Sequence, residues 1–324
     1  MLQTRFCQLF DIDAPVLQAP IWPATAPALV AAVSEAGGLG SIGALFSSAQ
    51  EVRDQIDRVR ALTDGPFVVN HVVPALDAGV FEATLESRPA GVSFALGDPG
   101  ELVDRVHSAG SKVIEQVHTV AQAREAAGRG ADVVIAQGSE AGGQGMAVGV
   151  ASMALVPQVV DAVGPIPVLA AGGVADGRGL AAALALGAAG ANVGTRFLAS
   201  EEAGADDAWK QLILESESED AVRFETWGAI MPPSSGYDVV PRVIRTDFVA
   251  EWEGQAEEAG RQAERLRAEI MAAVQQRRPH ELTPFTGQTA GMIGELLPAA
   301  EIVRRMVAGA EDALGRVAAL RRDQ

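Results

Sequence analysis

PVLAAGGVADGRGLAAALALGAAGANVGTRF, residues 167–197, is the stretch that decides the fold. An apolar run at 168–171 stops at Gly172-Gly173. The alanine- and leucine-rich segment that follows has a helical pattern over 176–187. A second apolar run at 190–193 then stops at Gly194-Thr195. Strand, glycine turn, helix and strand make one βαβ unit, with parallel strands and a right-handed crossover. A unit of the same kind precedes it, where VVIAQ at 133–137 runs into GSEAGGQG at 138–145. In a (β/α)₈ barrel such turns gather at the carboxyl ends of the strands. The last two are where a phosphate is held, because glycine lets an anion reach backbone N–H groups.

Outward from this stretch the same rhythm continues. Strand candidates at 15–19, 39–43, 66–70, 90–94, 111–116, 132–136, 166–171 and 190–193 alternate with helical patterns at 25–36, 49–62, 77–87, 99–109, 119–129, 152–163 and 176–187. The strands read as near-continuous apolar runs, as they do when both faces are covered. Eight such units predict an α/β fold of the (β/α)8 TIM-barrel type rather than an open doubly wound sheet. Beyond residue 200 the pattern changes. An acidic segment spans 201–220, a proline-rich loop 231–242 and a long charged helical stretch 247–278; an amphipathic helix follows near 298–321. This predicts a helical insertion after the eighth strand. Residues 1–200 and 285–324 form the barrel, and 201–284 form a lid domain over its mouth.

Charge and composition narrow the function. Against 25 Lys and Arg stand 42 Asp and Glu, a net charge of −17, which excludes a nucleic-acid surface and disfavours an anionic membrane. A phosphate remains admissible, since backbone N–H groups hold one without basic side chains. No apolar run reaches the roughly 18–20 residues of a membrane span. The start, MLQTRFCQLF, has no signal-peptide core, so the expected location is cytoplasmic. The single Cys7 allows neither an internal disulfide nor a cysteine metal site, and it reads as a buried, inert thiol. No metal-ligand spacing, nucleophile elbow or Rossmann fingerprint is visible. Nothing in the chain speaks to its oligomeric state.

The candidate site follows from position. Gly172 and Gly173 after the seventh strand and Gly194-Thr195 after the eighth make a paired phosphate site, Thr195 adding a hydroxyl. Gly-Gly alone would read as a turn. Gln137 at the end of the sixth strand, before Gly142-Gly143, offers an amide that both donates and accepts, as the pyrimidine edge of an isoalloxazine ring requires. Asn70 ends the third strand and Gln18 lies near the end of the first, places that lean towards ligand contact in a barrel. Of the four histidines, His71 directly after Asn70 is the best placed for proton transfer. His118 is either a helix-start residue or points at the mouth, and His107 and His280 read as solvated. The phosphate-bearing cofactor these residues suit best is flavin mononucleotide, FMN.

Several segments carry a resemblance. QAPIWPATAPALVAAVSEAGGLGSIGA (18–44), PFVVN (66–70), AQGSEAGGQG (136–145), the block 167–197, RVIRTDFVAEWEG (242–254) and TGQTAGMI (286–293) are similar to the nitronate monooxygenases. That family also holds flavin-dependent enoyl and quinone reductases. The resemblance implies FMN without a metal, and oxidation of alkyl nitronates with O₂ to a carbonyl compound and nitrite. The alternatives are an NAD(P)H-dependent quinone or enoyl-thioester reductase and a catalytically altered flavin-binding protein. It implies FMN contacts at Asn70, Gln137, Gly142, Gly173 and the run Asn192-Val193-Gly194-Thr195, with Ala19-Pro20-Ile21 beneath the ring. One position departs. The family pattern E-A-G-G-H ends in a histidine presumed to act as the catalytic acid or base, and here Gln144 stands in its place. An amide does not titrate near neutrality. Gln144 is therefore expected to hydrogen-bond the substrate, and His71 is the candidate for the missing proton-transfer group.

Overall fold

The computed structural model describes residues 2–147, 149–231, 238–276 and 278–320. After a short first helix, α1 (Arg5–Phe10), the described residues form eleven strands in the order β1 (Val16–Gln18), β2 (Gly40–Gly43), β3 (Phe67–Val72), β4 (Gly91–Ala95), β5 (Lys112–Val117), β6 (Val133–Gln137), β7 (Gly143–Met146), β8 (Val168–Ala171), β9 (Gly190–Val193), β10 (Ala221–Arg223) and β11 (Val239–Ile244). Eight of them form one parallel sheet in the order β1-β9-β8-β6-β5-β4-β3-β2. The seam between β1 and β2 is drawn shut where Leu39 donates to the Val16 carbonyl at 2.9 Å and Gln18 donates to the Leu39 carbonyl at 2.9 Å. The fold is the expected TIM barrel, and all eight expected strands are present.

Helices α2 (Pro27–Glu35), α3 (Ala49–Arg60), α4 (Ala78–Ser87), α5 (Leu102–Ser108), α6 (Val120–Arg129), α7 (Ser152–Val163) and α8 (Gly177–Ala185) connect the strands. Successive side chains of a strand face opposite sides, and burial follows that rule. Leu17, Val68, Ile114, Ile135 and Leu169 share one cluster inside the barrel. Their neighbours Val113, Val134 and Ala170 belong to the layer under the helices. Phe6, Cys7 and Phe10 of α1 join the interior cluster, so α1 plugs the amino-terminal end and Cys7 is buried in that plug.

After β9 come α9 (Thr195–Leu198), α10 (Asp207–Glu215), α11 (Trp227–Ile230), α12 (Asp247–Trp252), α13 (Ala256–Arg261), α14 (Ala263–Gln275) and the closing helix α15 (Ala299–Ala319). Two expectations need correction here. The stretch 247–278 is three helices rather than one, broken first at Gly254, whose φ of 74° a right-handed helix does not allow. The insertion is also not purely helical. β10, β11 and β7 form a separate three-stranded antiparallel sheet, so 239–242 is strand rather than loop; the rest of the loop expected there, 232–237, lies outside the described residues. β7 comes from the turn after β6, and its Gln144 pairs with Pro241 of β11. A barrel turn and the insertion thus share one sheet. Phe224, Trp227, Val243, Phe248, Trp252, Leu266 and Ile270 give the insertion a core of its own.

Candidate active site

The alternation that buries the barrel interior also builds its mouth. One step above the apolar interior, the inward positions are Asn70 and Val72 of β3, Gln116 of β5, Gln137 of β6, Ala171 of β8 and Asn192 of β9. With the loops at Ala19–Trp22, Glu140–Gln144, Gly172–Val174 and Gly194-Thr195 they surround a cavity of about 200 Å³, closed on one side by Phe285, Gly287 and Thr289. The floor is a ring of amides. Asn70 Nδ2 donates to Ser93 Oγ at 3.0 Å. Gln137 Nε2 donates to the backbone carbonyl of Gln144 at 3.1 Å. Thr195 Oγ1 accepts from the Gly287 N–H at 2.9 Å, which leaves its own hydrogen free to donate.

Two observations mark this cavity as made for a ligand. Asn192 Oδ1 is buried and has no hydrogen-bond partner, and such an atom costs about 1–3 kcal/mol unless something supplies a donor. Gly172 and Gly173 both adopt left-handed φ, 91° and 77°, so their turn brings bare backbone to the cavity wall. Among the described residues no Lys or Arg lines the cavity. A phosphate there would rest on backbone N–H groups and the Thr195 hydroxyl. These residues fit a group with a phosphate at one end and a hydrogen-bonding planar edge at the other.

A second cavity of about 240 Å³ adjoins the first. It shares Trp22, Leu45, Val72, Leu96, Gln144 and Phe285 with it and is otherwise walled by Trp209, Trp227, Met231, Ile270, Met271 and Val274 among others. Besides the indoles, Gln144 and Thr283 are the only polar side chains among the described residues that line it. Gln144 stands at the junction of the two spaces.

Most of the residues expected from sequence line the first cavity: Ala19, Pro20, Ile21, Asn70, Gln137, Gly142, Gly143, Gly172, Gly173, Asn192, Gly194 and Thr195, with Gln144. Three differ. His71 follows an inward residue and therefore points outward. It is 2% exposed, packs against the rings of Phe81 and Phe94, and its Nε2 meets Thr84 Oγ1 at 3.1 Å. Burial pushes its pKa down to about 4. It is a neutral imidazole near neutrality and does not reach the mouth, so it does not replace the missing family histidine. Val193 likewise turns outward into the layer between β9 and α15. Gln144 lies on β7 rather than on a free loop.

Gln18 is fully buried and ties β1 to β2, its Oε1 accepting from the Ser41 N–H at 3.0 Å. His118 is also buried, with its pKa pushed down to about 4 by desolvation. His107 pairs with Asp132 at the surface. Sequence reasoning missed Gln116, which parity along β5 reveals, and Phe285 and Thr289, which arrive from a loop distant in sequence. Glu140 also lines the cavity, with its carboxylate accepting from Ser152 N–H at 2.9 Å and Ser152 Oγ at 2.7 Å at the start of α7.

An amide-floored cavity at the carboxyl-terminal face of a TIM barrel, opening into an apolar chamber, is the kind of site at which enzymes of this fold act on small molecules. Residues 3–86 and 77–309 match the nitronate monooxygenase family, and the chain belongs to it. It is accordingly a flavin-dependent oxidoreductase. The chain is 37% identical over 263 residues to (3aS,4S,5R,7aS)-5-hydroxy-7a-methyl-1-oxo-octahydro-1H-indene-4-carboxyl-CoA dehydrogenase of Mycobacterium tuberculosis, spanning 80% of this chain and 71% of the relative. It is 35% identical over 267 residues to a probable nitronate monooxygenase of Staphylococcus saprophyticus, spanning 68% and 75%. Among solved structures it is similar to FabK from Thermotoga maritima, with TM-score 0.89 and 34% identity over 98% of this chain and 99% of that one. It is also similar to the nitroalkane oxidase of Streptomyces ansochromogenes, with TM-score 0.82 and 29% identity over 96% and 99%. Among the described residues no helix is long and apolar enough to cross a membrane.

Proposed function

We propose that the chain is an FMN-dependent oxidoreductase that transfers a hydride to a neutral conjugated carbonyl compound of the 2-enoyl-thioester class, with NAD(P)H as electron donor. Gly172, Gly173, Gly194 and Thr195 hold the phosphate, Asn192, Asn70 and Gln137 bond the polar edges, and Ala19-Pro20-Ile21 lies beneath the ring. Residues 201–284 serve as the lid. FMN, when bound, supplies the hydride-accepting and hydride-donating ring. The observation that carries the reading is the junction itself, which offers the Gln144 amide and, among the described residues of the adjoining chamber, no titratable side chain.

At that junction Gln144 donates an N–H to the substrate carbonyl and so stabilises the negative charge that grows there as the double bond is reduced. Trp22, Leu96 and Phe285 flank the junction. With no acid or base among the described residues of the chamber, the protein orients the substrate and leaves proton delivery to solvent.

A second reading, oxidation of alkyl nitronates with O₂ to carbonyl compound and nitrite, is favoured by the same absence of a base, because a nitronate is already ionised. Against it stands the electrostatics: an anion would enter an apolar chamber that no cation among the described residues lines, in a chain of net charge −17. Anaerobic mixing separates the two. The expected result is flavin bleaching by NADH or NADPH and reoxidation by a 2-enoyl thioester, with slow or no bleaching by propionate 3-nitronate. Rapid bleaching by the nitronate and none by either pyridine nucleotide overturns the first reading in favour of the second. A panel including quinones without any turnover, despite bound FMN, points to a flavin-binding protein of altered role.

A further inference from the structure

The chamber beside Gln144 carries information about the size of the substrate. It measures about 240 Å³ and is almost wholly apolar. A protein cavity of about 150 Å³ accepts a benzene ring, so this one accommodates about eight to ten carbon atoms. One wall of it is not part of the barrel. Ile270, Met271 and Val274 of α14 form it. Ile270 is buried in the insertion core, whereas Met271 and Val274 are half-buried and line the space. Spacings of three and four place Val274 on the same helix face as Ile270 and Met271, so one turn of α14 sets the depth.

We infer that this enzyme selects substrates with an apolar body of about eight to ten carbons, and that Met271 and Val274 set the upper limit. Gln144 fixes the reacting carbonyl at one end of the chamber and α14 closes the other. The barrel makes the junction while the insertion sets the size limit, so the two are separable by mutation. A methionine suits a wall of this kind, since its unbranched thioether adapts to the shape of the occupant. The inference rests on the reading that the neighbouring cavity holds the cofactor, because that reading decides which end of the chamber reacts.

The test uses binding rather than turnover. Trp22, Trp209 and Trp227, three of the four tryptophans, line the chamber, so their fluorescence reports its occupation. Straight-chain 2-alkanones from four to sixteen carbons are neutral probes with a carbonyl for Gln144. With the FMN-loaded protein, affinity is expected to rise roughly fourfold per methylene up to about ten carbons and to rise no further beyond. Met271→Trp is expected to move that break to shorter chains by two or more carbons, and Met271→Ala to move it to longer ones, with FMN content unchanged in both. Val274→Phe is a second shortening variant should the tryptophan fail to fold. A break that stays at the same length in folded variants of both kinds, or affinity that does not depend on chain length, overturns the inference. Because no reduction is measured, a failure of the proposed chemistry would leave this result intact and be recognised separately.

Discussion

His71 sits one residue from the cavity and yet outside it, and the strand period accounts for that. Asn70 faces in, so His71 faces out, between Phe81 and Phe94. Its chemistry is then that of a buried neutral imidazole, shared with His118, both with pKa values near 4 against an ordinary 6.5. The unfolded chain binds more protons than the folded one between these values. Stability therefore rises with pH from about 4 to 6.5 and is independent of these two groups above that. Each contributes up to about 1.4 kcal/mol per pH unit inside the window. Urea midpoints of wild type and His71→Leu, compared at pH 7 and pH 5, are expected to differ less at pH 5; an equal loss at both would disprove the assignment. Turnover per folded molecule of His71→Leu should match wild type at neutral pH. The opposite holds for Gln144→His. That change adds a group titrating near 6.5 at the junction, and it should confer activity on neutral nitroalkanes with a rising pH profile while FMN binding stays within a few-fold. No gain in nitroalkane turnover, in a variant that still binds FMN, would remove Gln144 from the place of the family base.

At the scale of elements, glycine turns complete the site that the strand ends floor. Gly173 presents its backbone at φ 77°, and Gly173→Asp adds both a disfavoured conformation and a negative charge where the phosphate is proposed to lie. Fluorescence titration should show FMN affinity falling at least a hundredfold in the folded variant, and wild-type affinity would exclude the phosphate site. Gly142 illustrates a different demand. A Cβ there would lie 2.4 Å from the Gly287 backbone nitrogen, so two loops almost 150 residues apart touch backbone to backbone. This contact marks what the sequence could and could not say. The eight barrel strands and the glycine turns at 172–173 and 194 were legible because period, apolarity and turn residues are local signals. Gln116 and the outward turn of His71 were legible in principle from alternation alone. β7 was not, because GQGM at 143–146 has almost no β propensity and becomes a strand only by pairing with β11. Phe285, Gly287 and Thr289 reach the mouth by tertiary packing, which leaves no local trace.

In the whole molecule one small sheet joins two cores, beside an apolar cluster that Ala24, Ala175 and Leu198 of the barrel share with Trp209, Ile213 and Ile244 of the insertion. The barrel and the insertion have separate apolar interiors, and β7, a barrel turn, is paired into the insertion sheet. Arg242 of β11 holds this joint. It is 8% exposed, its Nε and Nη2 donate to the Ser139 carbonyl at 3.0 and 2.8 Å, and its Nη1 donates to the Ala221 carbonyl. Ser139 lies in the turn that leads from β6 to β7, so one guanidinium spans the barrel turn and both insertion strands. Arg223 of β10 adds a bond to the Met146 carbonyl at 3.2 Å. Removing the Arg242 guanidinium strands buried carbonyls on both sides, at a cost of about 1–3 kcal/mol for each that finds no water. Because barrel strands β1–β6 make no use of it, the loss should be confined to the joint. Arg242→Met is expected to speed amide hydrogen exchange in 143–146 and 239–244 while leaving exchange in 67–72 and 112–117 unchanged. In the same variant kcat should fall because Gln144 is no longer held at the junction, while FMN affinity, set by Gly172, Gly173 and Thr195, should change little. Equal acceleration throughout the barrel would mean that Arg242 supports the fold as a whole, and the proposal of 201–284 as a lid joined to the barrel by this sheet would then fail.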